Sequence, residues 1–425
     1  MVGMDEVVAL YDDSGRPVGA APRSRMRAEN LRHAATGVVV RDPLGRVFVH
    51  RRTDTKDVYP GRYDFTAGGV LLAGEDPVDA ARREAEEELG VSSPLVPLGE
   101  ADYADDHTSY HAFLFETTWD GPVRLQPEEV ASGEWLTLEQ LAAMLDDPTV
   151  LMMPDARALL GPWLRERLAD RVEPEQGWDS HTVVVEGRWV DRTPQRPDVA
   201  PRLRAETVVL PRLAPLLPVA VPVPVVVETE PLRVRHPIVP GEPCDPEALT
   251  AEDGRLVGEL LQALHATPPE VYAGSEVPDG PAAYADLLEV LGAMRERVLP
   301  MLPADRRAEG ARLLDEVAEP PTSRCLVHGD LGPTHVLVLD GRVHGIIDWS
   351  DMVVGDPAHD LAWTLNGTPP EFADALAAAY GVTPELRARG LLWQRLGPWF
   401  EVLGGVDFLG QEYVDSGLEG VLARL

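Results

Sequence analysis

The chain has a single lysine, Lys56, among its 425 residues, so every other fixed positive side chain is an arginine. Its two cysteines, Cys244 and Cys325, lie far apart and form no CxxC pair, which argues against a disulfide framework and a cysteine-based zinc site. No run of about 18 apolar residues offers a membrane span. The longest apolar stretch, LLPVAVPVPVVV, is broken by Pro218, Pro222 and Pro224. The opening MVGMDEVVAL has no basic segment followed by an apolar one, so a cytoplasmic protein is expected, without membrane partners. Positive charge is scarce as well. The 38 lysines and arginines stand against 71 aspartates and glutamates, and the formal charge of -33 repels nucleic-acid phosphates, which argues against a polymer-binding role.

The length exceeds that of one ordinary core, and at about 150 residues per domain it implies two or three. The hydrophobic share of 44% is that of a globular chain. The acidic excess suits a protein that handles phosphate through a divalent metal or attracts cationic small molecules, and equally a solvated surface. Neither a Gly/Ser linker nor an internal repeat is present. A stiff helical junction within PTVLMMPDARALLGPWLRERLADRVEPEQ divides the chain into residues 1–170 and 171–425.

In the first part, GVVVRDPLGRVFVHRR places two β-branched runs around the turn Asp42-Pro43-Leu44-Gly45 and predicts a hairpin. Asp76, Pro77 and Asp79 are start signals for a helix that Gly90 ends, so 77–89 is predicted helical. On it Glu84, Glu87 and Glu88 share one face within a turn. Such crowding of like charge is relieved by an oxygen-seeking cation such as Mg²⁺ when a diphosphate supplies further oxygens, or is simply a solvated acidic face.

Gly69, Glu75 and the run Arg83-Glu84-Ala85-Glu86-Glu87-Glu88-Leu89-Gly90-Val91 match the pattern G-x5-E-x7-REUxEExGU at every fixed position. This part therefore resembles the Nudix hydrolases. The resemblance implies an αβα sandwich around a mixed sheet and hydrolysis of a nucleoside diphosphate linked to another moiety, or a related diphosphate, by metal-activated water. It implies that Glu87 and Glu88 ligate Mg²⁺ or Mn²⁺, that Glu84 is a ligand or base, and that Gly69 brings its carbonyl near the metal. Arg83 and Glu75 would orient the carboxylates, and Glu128 or Glu129 could supply a base from outside the box. The flanks AENLRHAATGVVV and HRRTDTKDVYPGRYDFTAGG look like the branch related to isopentenyl diphosphate isomerase, but no cysteine lies in this half, which favours hydrolysis over isomerisation. His33, Arg51, Arg52 and Lys56 could hold substrate phosphate or pair within an acidic domain.

In the second part, HTVVVEGRWVDR reads as a hairpin about Glu186-Gly187, and helices fit RLRAETVVLPRL, RLVGELLQALHA and segments from about 281 to 318. HVLVLDGRVHGIIDW reads as a second hairpin about Asp340-Gly341, which returns Asp348 at a strand end beside the loop of Asp330. Two carboxylates so placed suit phosphoryl transfer: one accepts a hydroxyl proton and the other holds the metal that bridges nucleotide phosphates.

His328-Gly329-Asp330, His335, Asp348-Trp349 and Gly355-Asp356-Pro357 with Asp360 resemble the aminoglycoside phosphotransferases over about 250 residues. The resemblance implies a two-lobed, protein-kinase-like fold (N-lobe about 171–245, C-lobe about 246–425), with ATP or GTP as donor and a small-molecule hydroxyl as acceptor. Asp330 would be the catalytic base, Asp348 the principal metal ligand, and Asp356 and Asp360 braces. Arg192, paired with Glu206, would stand in the phosphate anchor's place. His335 replaces an expected asparagine, as in phosphotransferases acting on macrolides, where it would ligate the ion or bond the loop. Trp393, Trp399, Phe400, Glu401, Asp407 and Glu412 could line an acceptor pocket, or the aromatics could be helical core.

The expectation is an α/β (α+β) bifunctional enzyme: a Nudix hydrolase joined to a kinase that phosphorylates a small molecule, for example an antibiotic. Asp191 and Thr193, flanking Arg192 where apolar residues are expected, keep open a second reading in which the kinase-like part is a binding or substrate-presenting module.

Overall fold

The computed structural model describes residues 5–174 and 176–425, and their contacts divide into two compact units. One comprises the chain up to Val172 together with Val185–Trp189; the other comprises Glu173–Val184 and Val190–Leu425. Among the described residues no helix is long and apolar enough to cross a membrane, and both cysteines are free.

The first unit is built on an eight-stranded mixed sheet. Its centre is His33–Arg41, which runs parallel to Ser109–Thr118 in register from His33 against Tyr110 to Arg41 against Thr118. Val47–Arg52 follows the predicted turn and pairs antiparallel with Val130–Leu136. The segment carrying the glycines of the box lies along the central strand: Thr36 N–H donates to the Gly69 carbonyl (2.9 Å), and Val38 and Ala67 bridge.

Against the sheet lies the helix Pro77–Leu89, with the bounds its sequence predicts. Asp76 accepts from Val78 N–H at its start, and Gly90 ends it in the left-handed region (φ 69°). Its buried face is Ala81, Ala85 and Leu89, packed with Val38, Val40 and Phe115, and Ala80, packed with Ala34 and Leu71. Three alanines let the helix approach the sheet closely, which brings the glutamates on the flank of that face to the backbone of Gly68 and Gly69.

The second unit opens with a sheet ordered Val225–Thr229, Leu232–Pro237, Trp189–Pro194, Ser180–Val185, backed by the helix Val199–Leu213. Helices dominate the remainder: Ala251–His265 packs on Pro370–Tyr380, and Pro384–Gly404 on Gln411–Arg424. Between them the hairpin Val336–Leu339 and Arg342–Ile346 forms about Asp340-Gly341, both of positive φ. Asp348 lies two residues past the end of that second strand, at φ 62°, and not on it. Trp393 and Trp399 do not line an acceptor pocket; they are buried in the helical core with Leu396 and Val421, so the aromatic spacing is a packing signal. Phe400 packs on the same core, Asp407 pairs with Arg297, and Glu412 is exposed.

Candidate active sites

In the first unit the box helix presents three glutamates in different surroundings. Glu88 is 3% exposed and accepts from Gly68 N–H at 3.2 Å. Glu84 lies so close to Gly69 that a Cβ there would come within 2.4 Å of its Oε1, which gives the first glycine of the pattern a steric reason. Glu87 is 54% exposed on its side chain and meets only the edge of Arg83, at 3.4 Å. Arg83 holds this group together, donating to Glu75 Oε1 at 2.9 Å and to Glu84 Oε1 at 2.7 Å. Its guanidinium reaches Glu75 and Glu84 from within the cluster.

Burial pushes the carboxyl groups of Glu84 and Glu88 up, Glu88 to about 7. Arg83 offsets this at Glu84, and at Glu88 the largest offset is Lys56, with Nζ 3.7 Å from Glu88 Oε1 and in direct contact with the Glu129 carboxylate. Glu129 is therefore at the site, tied to the one lysine, whereas Glu128 offers only its backbone carbonyl to Thr53. Arg51 turns aside to Asp54, and His33 donates from Nδ1 to the Leu31 carbonyl.

Among the described residues no group of three His, Cys, Asp or Glu side chains is arranged to hold a metal by itself. Mg²⁺ does not require one: it keeps several waters and takes one or two carboxylates with substrate phosphates. Glu84 and Glu88, both buried and with carboxyl groups raised by that burial, and the adjacent carbonyl of Gly69 are hard oxygen donors that fit such an ion.

In the second unit the His328-Gly329-Asp330 loop hangs on Asp360, whose buried carboxylate accepts from His328 N–H (2.8 Å) and Gly329 N–H (3.0 Å). Burial opposes ionisation there, but hydrogen bonds from His265 and these amides hold the Asp360 carboxyl at about 2. Gly329 has φ 85°, and a Cβ would meet the Asp351 carbonyl at 2.3 Å, so the loop admits only glycine. Asp356 is spent on Arg389 and the Trp393 indole, bracing the helices behind the loop.

These constraints leave the Asp330 carboxylate exposed. His335 donates from Nδ1 to the Asp330 backbone carbonyl at 2.7 Å, which sets the ring with Nε2 3.7 Å from Asp348 Oδ2. Asp330, His335 and Asp348 thus share one small volume, with an imidazole nitrogen and a carboxylate that fit a divalent ion. Arg192 is buried and donates to both oxygens of Glu206 (3.0 and 2.8 Å), to Ser350 (2.7 Å) and to Asp348 (3.2 Å). Burial works against the charge of Asp348, yet Arg192 and His335 hold its carboxyl below the ordinary range.

Asp191 does not compete for this arginine. Strand alternation turns it to the other face, where Arg235 grips it bidentately (2.5 and 2.8 Å). Sequence reasoning missed Ser350, which ties Glu206 to Arg192, and Asp351, which pairs with Arg202 and is pushed up to about 7 by burial. The run Asp348-Trp349-Ser350-Asp351 carries both.

Comparison with known proteins matches each unit. The family profile described as NUDIX domain matches residues 31–155, and that of the phosphotransferase enzyme family matches residues 170–393. The uncharacterized Nudix hydrolase orf19 of Rhodococcus erythropolis is 44% identical over 170 residues, covering 37% of this chain and 92% of the relative. The GDP and kanamycin complex of APH(2")-IIia superposes with a TM-score of 0.55 at 21% identity, covering 62% of this chain and 97% of that one. The macrolide 2'-phosphotransferase MphH from Brachybacterium faecium gives a TM-score of 0.50 at 23% identity over 63% of this chain and 98% of its own. At these identities the two structures share the fold of the second unit.

Proposed function

From a chain that belongs to the Nudix family through its first unit and to the phosphotransferase enzyme family through its second, we propose two activities. One is Mg²⁺-dependent hydrolysis of a diphosphate-linked small molecule. The other is transfer of a phosphoryl group from ATP or GTP to a small-molecule hydroxyl, with antibiotics of the aminoglycoside or macrolide kind as the first acceptors to try. The observation that carries the reading is that each unit contains its own carboxylate constellation: Glu84 and Glu88 against Gly69 in one, Asp330, His335 and Asp348 in the other. Both substrates are small and both activities belong in the cytoplasm.

In the hydrolase, Glu84, Glu87, Glu88 and the Gly69 carbonyl would hold Mg²⁺ or Mn²⁺, which activates water and offsets diphosphate charge. Arg83 keeps Glu84 and Glu75 in place, Glu84 or Glu129 takes the proton of the attacking water, and Lys56 neutralises Glu88 and Glu129 between turnovers. In the kinase, Asp348 and His335 would hold a divalent ion, which would offset the charge of the nucleotide phosphates. Asp330 accepts the proton of the attacking hydroxyl, and Arg192, oriented by Glu206 and Ser350, presents its fork to phosphate as a planar donor in place of a point charge.

The test is a pair of variants on one preparation, with nucleoside diphosphate conjugates and antibiotics read by phosphate release and mass change. Glu88→Gln is expected to lower hydrolysis by about 100-fold or more and leave phosphorylation intact, with Asp330→Asn doing the reverse. Loss of both activities from either change overturns the two-site reading. The contact of Arg192 with Asp348 favours one alternative, in which the second unit binds a ligand without chemistry. Calorimetry with Mg-ATP and Mg-GTP, followed by phosphate transfer to any acceptor, excludes it.

A further inference from the structure

The hairpin about Glu186-Gly187 has its tip, Val185–Trp189, packed as part of the first unit, while its strands run on into the second. Glu186 and Gly187 both take positive φ (52° and 58°), the form that suits a two-residue hairpin turn. Such a tip ordinarily lies in water, yet the Glu186 side chain is 1% exposed and that of its partner Arg41 2%. Arg41, the last residue of the central strand His33–Arg41, donates to both oxygens of Glu186 (2.9 and 2.6 Å) and through Nε and Nη2 to the Gly45 carbonyl (3.1 and 2.8 Å). Arg167 adds a bond to Glu186 at 3.1 Å, and Glu186 N–H donates to the Asp170 carbonyl at 2.8 Å. Three residues on, the Trp189 indole N–H donates to the Pro43 carbonyl at 2.8 Å, and the Arg41 guanidinium lies 5.0 Å from the centre of the Trp189 ring.

None of the roles assigned above uses Arg41. A buried ion pair is a poor source of stability, because desolvation of both charges offsets most of their attraction, and its best-attested use is to fix register. Register matters at this hairpin. The two strands that leave the clasped tip carry Ser180 and Arg192, and Arg192 Nε donates to Ser180 Oγ at 3.1 Å. Only Val190 and Asp191 separate Trp189 from Arg192, about 10 Å of strand. A slip of one residue turns every side chain of a strand to the opposite face, which would put Asp191 or Thr193 where Arg192 meets Glu206 and Asp348.

We propose that Arg41 is a positioning residue for phosphoryl transfer: by clasping Glu186 it fixes the hairpin whose far end presents Arg192 to nucleotide phosphate. The proposal rests on the kinase reading and adds to it a residue from the first unit.

Calorimetry on the full-length chain compares Mg-ATP and Mg-GTP with adenosine and guanosine, in the parent and in Arg41→Lys, Trp189→Phe and Arg192→Gln. Lysine keeps the charge of Arg41 and loses the fork; phenylalanine keeps a ring and loses the donation to Pro43. The expected result is a nucleotide dissociation constant raised about tenfold in Arg41→Lys and in Trp189→Phe, with the nucleoside within about twofold, since only phosphate meets Arg192. Added to Arg192→Gln, Arg41→Lys should cause no further loss, because both changes remove one interaction. Equal weakening of nucleotide and nucleoside overturns the proposal and assigns Arg41 to folding alone; additive losses or unchanged affinity overturn it too, and leave the kinase reading standing. A parent chain that binds neither nucleotide overturns the kinase reading and the proposal with it. If the nucleosides bind too weakly to measure, the combination with Arg192→Gln decides. Trp189→Phe removes a single hydrogen bond, so the test survives a failure of Arg41→Lys to fold.

Discussion

Glu87 and Glu88 are equivalent in the sequence pattern and unequal in space. Glu88 is buried against Gly68 N–H and Lys56, with its carboxyl near 7; Glu87 is mostly in solvent. A carboxylate removed from a buried site is not replaced by solvent, whereas a solvated one is replaced by water. Glu88→Gln should therefore lower hydrolysis at least tenfold more than Glu87→Gln, measured as kcat/KM at one saturating Mg²⁺ concentration; equal effects would make burial irrelevant to the site. The same contrast explains what the pattern conveyed. It named the carboxylates but not the cation opposing them, because Lys56 reaches the helix from a loop about thirty residues earlier in the chain and shares no periodicity with it.

At the scale of elements, the segments punctuated by their own residues were legible. Asp76, Pro77 and Gly90 bound one helix, and Asp340-Gly341 one hairpin, because caps and positive-φ turns act over four or five residues. The parallel partnership of His33–Arg41 with Ser109–Thr118 was not, since nothing local announces a strand pairing some 75 residues away, and the strand Val96–Ala104 is mostly exposed and lacks a buried stripe. A cavity lined by Arg27, Thr36, Arg52, Asp64 and Asp155 was hidden for the same reason, since these come from five separate segments. Asp360 shows how an element can be held by a residue outside it. Replacing it with Asn keeps the shape and removes charge-assisted bonds to two loop amides, at about 2 kcal/mol. Phosphorylation should fall by about tenfold or more while hydrolysis is unchanged, and Asp360→Asn should speed amide exchange at His328 and Gly329; unaltered exchange would deny the brace.

For the whole molecule, the buried acids set how stability follows pH. Burial raises the carboxyl groups of Asp64 and Asp155 from 3.8, and at Asp155 the charge of Asp64 adds to it, bringing Asp155 to about 6. The folded chain thus binds more protons than the unfolded one. The contribution is complete below pH 3.8 and is lost as pH rises through about 6. It amounts to something on the order of 2 kcal/mol. Asp155→Asn should flatten this decline in thermal unfolding followed from pH 4 to 7; a slope matching the parent's would assign it to other groups.

Lys56 has a consequence of a different kind. It is the only side-chain amine in 425 residues, it lies between Glu88 and Glu129, and burial lowers its affinity for a proton despite those neighbours. An amine-acylating reagent therefore meets one side-chain amine besides the terminal α-amine, and that side chain stands between Glu88 and Glu129. The extent of labelling on the peptide that carries Lys56, compared with and without metal and a diphosphate, reads whether they displace the ammonium from its carboxylates.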